Sequence, residues 1–308
     1  MSTKDAKLIT EAIAQKNAGN HVKSEKLYSE AIELNGENLH KAYYNKGNLL
    51  KEINKIGAAL ECYEKATSIK PDYGIAWFNW GNLLCKIHKY HEAVRVFEAA
   101  ISIMPNEINP LFGIAYAYNR IGSPHKSQEI LIELLEKVES EQINIDLLSK
   151  IHSELGLSFL QTNDVTKAKV HFIKAYELNE YDYQACYNIA YIADTEKRYD
   201  AALDFYDKAI SIDPNEAKGY QGKGCTLIHS GNLEEALAYI EKAIELNPND
   251  FEGYYNLACI YSGLNNEKAM LDAVSKTISL APKQLNIGHH ILNDPDFSKY
   301  SDKISCLL

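Results

Sequence analysis

The chain has 308 residues, of which 46% are hydrophobic and 24% charged, so it carries enough apolar material to fold. Its net charge is −10 and its only arginines are Arg95, Arg120 and Arg198, which argues against a nucleic-acid surface. No stretch approaches the roughly eighteen apolar residues that a membrane span needs, and "MSTKDAKLITEAIAQKNAGN" has no apolar leader, so no membrane insertion and a cytoplasmic location are expected.

Along the chain the sequence repeats itself. "YYNKGNLL" from Tyr43 and "WFNWGNLL" from Trp77 agree at five of eight positions and start thirty-four residues apart. Small residues recur eight places into each such row: Ala12, Gly47, Gly81, Ala115, Gly156, Ala190, Gly224 and Ala258. Twelve places further stand Ser24, Ala59, Ala93, Ser127, Ala168, Ala202, Ala236 and, off pattern, Met270. One helical turn later come Tyr28, Tyr63, Phe97, Leu131, Phe172, Tyr206, Ile240 and Val274. Pro71, Pro105, Pro214, Pro248 and Pro282 close five rows. Each row therefore predicts two helices: the first with a small residue at mid-length, the second with one apolar face, ended by proline. Gly122, Gly231 and the pairs Gly19-Asn20 and Asn265-Asn266 fall where a left-handed turn between the two belongs. A lone helix pair cannot bury its apolar face, so the rows must stack.

Period, small sites, large sites and closing prolines together resemble the tetratricopeptide repeat family over about residues 5–282. The resemblance implies an all-α fold: a right-handed superhelical solenoid of about eight helix pairs, the first helices lining a concave groove. Row one is atypical, with Leu8 for the aromatic residue and Gly36 for the proline, as expected of a terminal repeat. Gly156 follows Ala115 by forty-one positions, seven beyond one period. Two helical turns are thus added around "KVESEQINIDLLSK", either as longer helices or as a hinge. The chain divides accordingly into an N-terminal array (1–139), an extended inter-repeat segment (140–148), a C-terminal array (149–282) and capping helices (283–308). In the last part, Leu285, Ile287, Ile291 and Leu292 can cover the final pair. Asp294-Pro295 reads as a helix start, followed by Phe297, Tyr300, Ile304 and Leu307 at helical spacing.

In the family the inner wall comes from places two, five, six, nine, twelve and thirteen of each row. Here those places supply a peptide-binding candidate set of Tyr44, Asn45, Asn48, Phe78, Asn79, Asn82, Phe112 and Tyr116. Tyr187, Asn188, Tyr191, Tyr255 and Asn256 extend it in later rows. An asparagine amide offers a donor beside an acceptor, which suits an extended backbone, and tyrosine supplies apolar area. The same residues could equally serve packing between repeats. Charges on the wall nearly balance, with Lys41, Lys51, Lys86, Arg120, Lys150 and Lys218 against Glu52, Glu154, Asp194 and Glu252. The carboxylate clamp of chaperone-binding members is not matched: Tyr44, Asn109 and Gly113 stand at its basic places.

Catalytic motifs are missing from the sequence. There is no P-loop, no G-x-G-x-x-G and no G-x-S-x-G. Cys85, His88, His91 and Glu92 are zinc-ligand types but straddle a predicted turn. The six cysteines are scattered without a C-x-x-C pair and read as reduced thiols, and Ser305 spoils a C-terminal prenylation box. No cofactor or metal is expected and no enzyme. The expected function is an adaptor holding a segment of a partner protein in the groove. The alternative is a structural scaffold subunit, with self-association through edges or outer face left open.

Overall fold

In a computed structural model, which describes residues 3–140 and 144–307, every regular element among those residues is helical. The first hairpins are α1 (Lys4–Asn17) with α2 (His21–Glu33), and α3 (Leu39–Glu52) with α4 (Ile56–Ile69). Next come α5 (Gly74–Lys86) with α6 (Tyr90–Ile103), and α7 (Ile108–Arg120) with α8 (Pro124–Ser140). The series continues with α9 (Ile145–Gln161) and α10 (Val165–Leu178), then α11 (Tyr183–Thr195) and α12 (Tyr199–Ile212). It ends with α13 (Ala217–His229) and α14 (Leu233–Leu246), then α15 (Phe251–Gly263) and α16 (Glu267–Leu280). Two short helices follow, α17 (Ile287–Asn293) and α18 (Ser301–Ser305), each entered through a 3-10 turn. The chain forms two compact units: residues 1–143 with 157–164, and residues 144–156 with 165–308.

Every hairpin turns through one left-handed residue: Gly19, Asn54, His88, Gly122, Asn163, Lys197, Gly231 or Asn265, with φ between 58° and 85°. The N–H of the following residue reaches back over the end of the first helix, as Lys55 to the Leu50 carbonyl (2.8 Å) and Arg198 to that of Ala193 (2.8 Å). This closure satisfies carbonyls that a bare helix end would leave open. Composition marked the glycines and Asn265. His88 and Lys197 it did not mark, because a side chain in this region costs about 1–2 kcal/mol and is adopted only when packing on both sides demands it.

The repeated small sites leave room for large side chains of the other helix of the hairpin. Ala12, Ala59, Ala93, Ala115, Ala190 and Ala258 are fully buried, and so are the large residues Tyr63, Phe97, Leu131 and Phe172 that pack beside them. A Cβ built on Gly81 would lie 2.6 Å from the Phe97 ring, and one on Gly156 would lie 2.7 Å from Phe172. Ala115, which already carries a Cβ, stands in a row whose large residue is Leu131 rather than an aromatic ring. Phe97 also fills the space above Gly113 of the next hairpin, 2.6 Å from a Cβ placed there. One ring thus locks a hairpin internally and to its successor.

The added length goes into helix. α8 and α9 are each 17 residues, against 13 or 14 in the other paired helices, so the seven extra residues extend both. Residues 141–143 of the expected 140–148 segment lie outside the described residues, and from Ile145 the chain is helical.

The first part of α9, which belongs to the second unit, also carries an unusual polar face. Ser149, His152, Ser153 and Glu154 are buried. Ser149 donates to the Ala175 carbonyl at 3.0 Å, and Ser153 to Asp182 at 2.5 Å. Asp182 in turn caps α11 by accepting from the Ala185 N–H. His152 Nδ1 lies 2.9 Å from His171 Nδ1, a contact that requires one ring to donate and the other to accept. Burial holds the His152 pKa down to about 4, with His171 and Lys174 adding to the effect. Burial, followed by Lys174 and Lys167, also lowers the pKa of His171.

The end of the chain covers the last hairpin. Ile291, Phe297, Tyr300 and Ile304 join Ala258, Met270, Ala273 and Val274 in one buried cluster. Met270 stands where other rows have Ala or Ser, and here it packs in the cluster that the cap completes. Asp294 caps as expected, accepting from the Asp296 N–H at 2.9 Å with Pro295 at the first position. Two expectations need correction. Leu285 and Leu307 are exposed, at 55% and 40%. Asn286 takes a left-handed conformation right after Leu285 and redirects the chain. α18 stops at Ser305, so Leu307 has left the helical face.

Two outcomes test this packing. Gly81→Ala should lower unfolding free energy by about 1–3 kcal/mol in denaturant melts. Adding Phe97→Leu should restore part of that loss, giving a double-mutant cycle with a clear coupling energy. For the histidines, the lowered folded pKa means that the unfolded chain binds protons first as pH falls below about 6.5. Stability should therefore drop between about pH 6.5 and 5, ahead of carboxylate titration, and the His152→Gln/His171→Gln double variant should show a flatter profile there.

Candidate functional site

First helices of neighbouring hairpins approach one another: α1 meets α3, α5 meets α7, α11 meets α13, and α13 meets α15. Their inward places two, five, six, nine, twelve and thirteen form one face of each helix because they recur at helical spacing.

In the first unit this face splits into two parts with different character. Asn79 Nδ2 donates to Tyr44 Oη at 2.9 Å and to Asn48 Oδ1 at 3.3 Å. Tyr63 Oη donates to the same Asn48 oxygen at 2.7 Å. Tyr44, Asn48, Tyr63 and Asn79 therefore knit α3, α4 and α5 together, and much of the amide capacity read as a ligand ladder is used within the fold. Asn45 donates to the Lys41 carbonyl of its own helix at 2.8 Å. The second part is open. Phe78, Asn82, Cys85 and Lys86 of α5 and Asn109, Phe112, Gly113 and Tyr116 of α7 line a cavity of about 290 Å³. Asn82 is exposed and its side chain makes no hydrogen bond among the described residues. The Arg120 guanidinium sits 4.2 Å from the Tyr116 ring centre.

In the second unit the structure brings Tyr187, Tyr191, Tyr255 and Asn256 to one cavity of about 530 Å³. Asp194, Lys218, Gln221, Cys225, His229 and Glu252 are among its other helical lining residues, and Ile287 and His290 of α17 close one side. Asn188 is not among them. It is buried and donates to the Gln184 carbonyl at 2.7 Å. Asn256 Nδ2 reaches Cys225 Sγ at 3.2 Å. Burial pushes the Cys225 thiol up to about 12, with Asp194 and Glu252 adding to the shift, so it stays protonated and is no nucleophile. Tyr255 donates to Asp294 of the cap and packs against the His290 and Phe297 rings at 5.7 and 6.0 Å.

Asp194 was read only as one of the wall's charges, and Cys225 and His229, also at inward places of their row, fell outside the candidate set. Spacing marks that place without saying which neighbours share it. Ile287 was expected to cover the final pair, but nothing in the repeat pattern placed it or His290 at a cavity, since both lie beyond the last repeat. The four metal-type side chains in "CKIHKYHE" form no group that could hold a metal ion among the described residues, and His88 Nδ1 meets Tyr90 Oη at 2.7 Å while Glu92 pairs with Lys89 at 2.9 Å. No helix among the described residues is long and apolar enough to cross a membrane.

Family models described as tetratricopeptide repeat match residues 40–73, 74–107, 183–216, 217–250 and 239–271, together just over half of the chain. No curated protein matches in sequence. Among solved structures, the chain is similar to one titled as the APC/C hetero-tetramer Cut9-Hcn1, with 15% identity and a TM-score of 0.68. That match covers 96% of this chain but spans only 55% of the other. Yeast Tom70 is similar with 18% identity and a TM-score of 0.51, over 98% of this chain and 75% of Tom70. A MamA double mutant from RS-1 gives 22% identity and a TM-score of 0.51, over 58% of this chain and 97% of the other. At these identities the likeness is one of fold.

The tie from the last hairpin to its cap has a direct check. Tyr255→Phe removes a hydrogen bond to a charged acceptor, a loss of about 1.5–3 kcal/mol. Hydrogen exchange should accelerate in α17 and α18 while the α3–α6 amides keep their protection.

Proposed function

Because the chain belongs to the tetratricopeptide repeat family, whose repeats build protein-interaction and scaffold surfaces, we propose that it is a non-catalytic adaptor. A segment of a partner protein lies along the inward faces of its first helices, and the two cavities receive side chains of that segment. The observation that carries this reading is the pairing of aromatic walls with unspent polar groups in both cavities. Phe78, Phe112 and Tyr116 stand beside Asn82 in one, and Tyr187, Tyr191 and Tyr255 beside Gln221 and Glu252 in the other. Aromatic side chains supply contact area at small entropic cost, and the polar groups set register. Asn82 takes the role of backbone reader better than Asn79, whose amide protons are both engaged. No step of this function calls for a metal or a cofactor.

A scaffold role remains the second reading, and it draws on exposed apolar side chains of α10, where Val170 is 54% and Ile173 38% exposed.

Affinity capture with purified variants separates the two. Asn82→Ala with Tyr116→Ala, or Tyr191→Ala with Gln221→Ala, should each reduce partner recovery at least tenfold at unchanged melting temperature, and Val170→Ser with Ile173→Ser should not. The opposite pattern, with loss only from the α10 variant, rejects the groove adaptor in favour of the scaffold.

A further inference from the structure

The two units differ in charge far more than the chain total suggests. The second unit holds 15 lysines and arginines against 23 aspartates and glutamates, a net of −8 within the chain's −10. Its inward cavity concentrates that sign on aromatic walls. Tyr187, Tyr191 and Asp194 follow one another on a single face of α11, and Tyr255 stands opposite on α15. Asp194 is only 11% exposed and holds His229 Nδ1 at 3.0 Å. One N–H cannot saturate two carboxylate oxygens, each with a further lone pair. Glu252 supplies a second carboxylate, and both raise the Cys225 thiol, so the two fields meet at the same lining residue. The opposing ammonium, Lys218, lies exposed to solvent, where screening weakens it.

We propose that this cavity is an anchor pocket for one cationic side chain, arginine or lysine, of the partner segment. The proposal rests on the adaptor reading and specifies the partner chemistry at one end of the surface. Ring faces attract a cation through their quadrupole, and a carboxylate beneath them pairs with the head group while the aliphatic stem lies on Tyr191 and Ile287. The acidic unit steers a basic segment toward the pocket before contact. α17 closes one side, so the site holds a side chain rather than letting a strand run through.

The test is selection of random short peptides displayed against the full chain, followed by affinity measurement on synthesised winners. The expected result is a fixed arginine or lysine among apolar neighbours. Affinity for such peptides should fall about tenfold for Asp194→Asn and for the exposed Glu252→Gln, and rise for Lys218→Met. Glu252→Gln keeps the test decisive if Asp194→Asn disturbs the fold. Winners that bind but fix an acidic or wholly apolar residue, or basic winners indifferent to both carboxylate variants, overturn the anchor pocket and leave the adaptor reading standing. A selection yielding no binder at all overturns both.

Discussion

Two backbones can approach only where one of them lacks bulk, and this chain is organised around eight such places. At each, a glycine or alanine on a first helix accepts a large side chain from the second, and most of these residues are buried completely. Phe97 shows why the arrangement propagates: the same ring serves Gly81 in its own hairpin and Gly113 in the next. Dispersion contacts at this density are lost steeply with small gaps, so the spacing between helices tolerates little change. The left-handed turns follow from it. Once the helices are held at that distance, even His88 and Lys197 adopt a backbone that their side chains disfavour.

The close approach also decides what remains for binding. Large residues point between helices and leave the inward places of the first helices to carry other groups. Some of those groups are taken back by the fold: the Tyr44–Asn48–Tyr63–Asn79 network ties one hairpin to the next. Others stay open, and some of them line a cavity in each unit. The first is lined by uncharged amides and rings with Lys86, the second by rings with Asp194, Glu252 and Lys218, so the two differ in charge.

The tail does more than shield an apolar end. Phe297, Tyr300 and Ile304 do that work, but α17 also turns inward and places Ile287 and His290 against the inner face of its unit. The bond from Tyr255 to Asp294 joins the two tasks, because one residue belongs to the wall and the other starts the cap's second segment.

Repeat length, helix pairing, the small and large sites and the closing prolines were all legible in the amino-acid order, because each depends on contacts within about one period. The seven surplus residues were legible as two helical turns for the same reason, and they lengthened α8 and α9. Which inward asparagines are spent and which are open was not legible. Asn79 and Asn82 look alike in sequence, yet one meets Tyr44 across a hairpin boundary and the side chain of the other makes no hydrogen bond among the described residues. The polar face of α9, the exposure of Leu285 and the inward turn of α17 were decided by the tertiary structure alone. They arise where the period breaks or ends, and there no neighbouring row repeats the contact that would announce it.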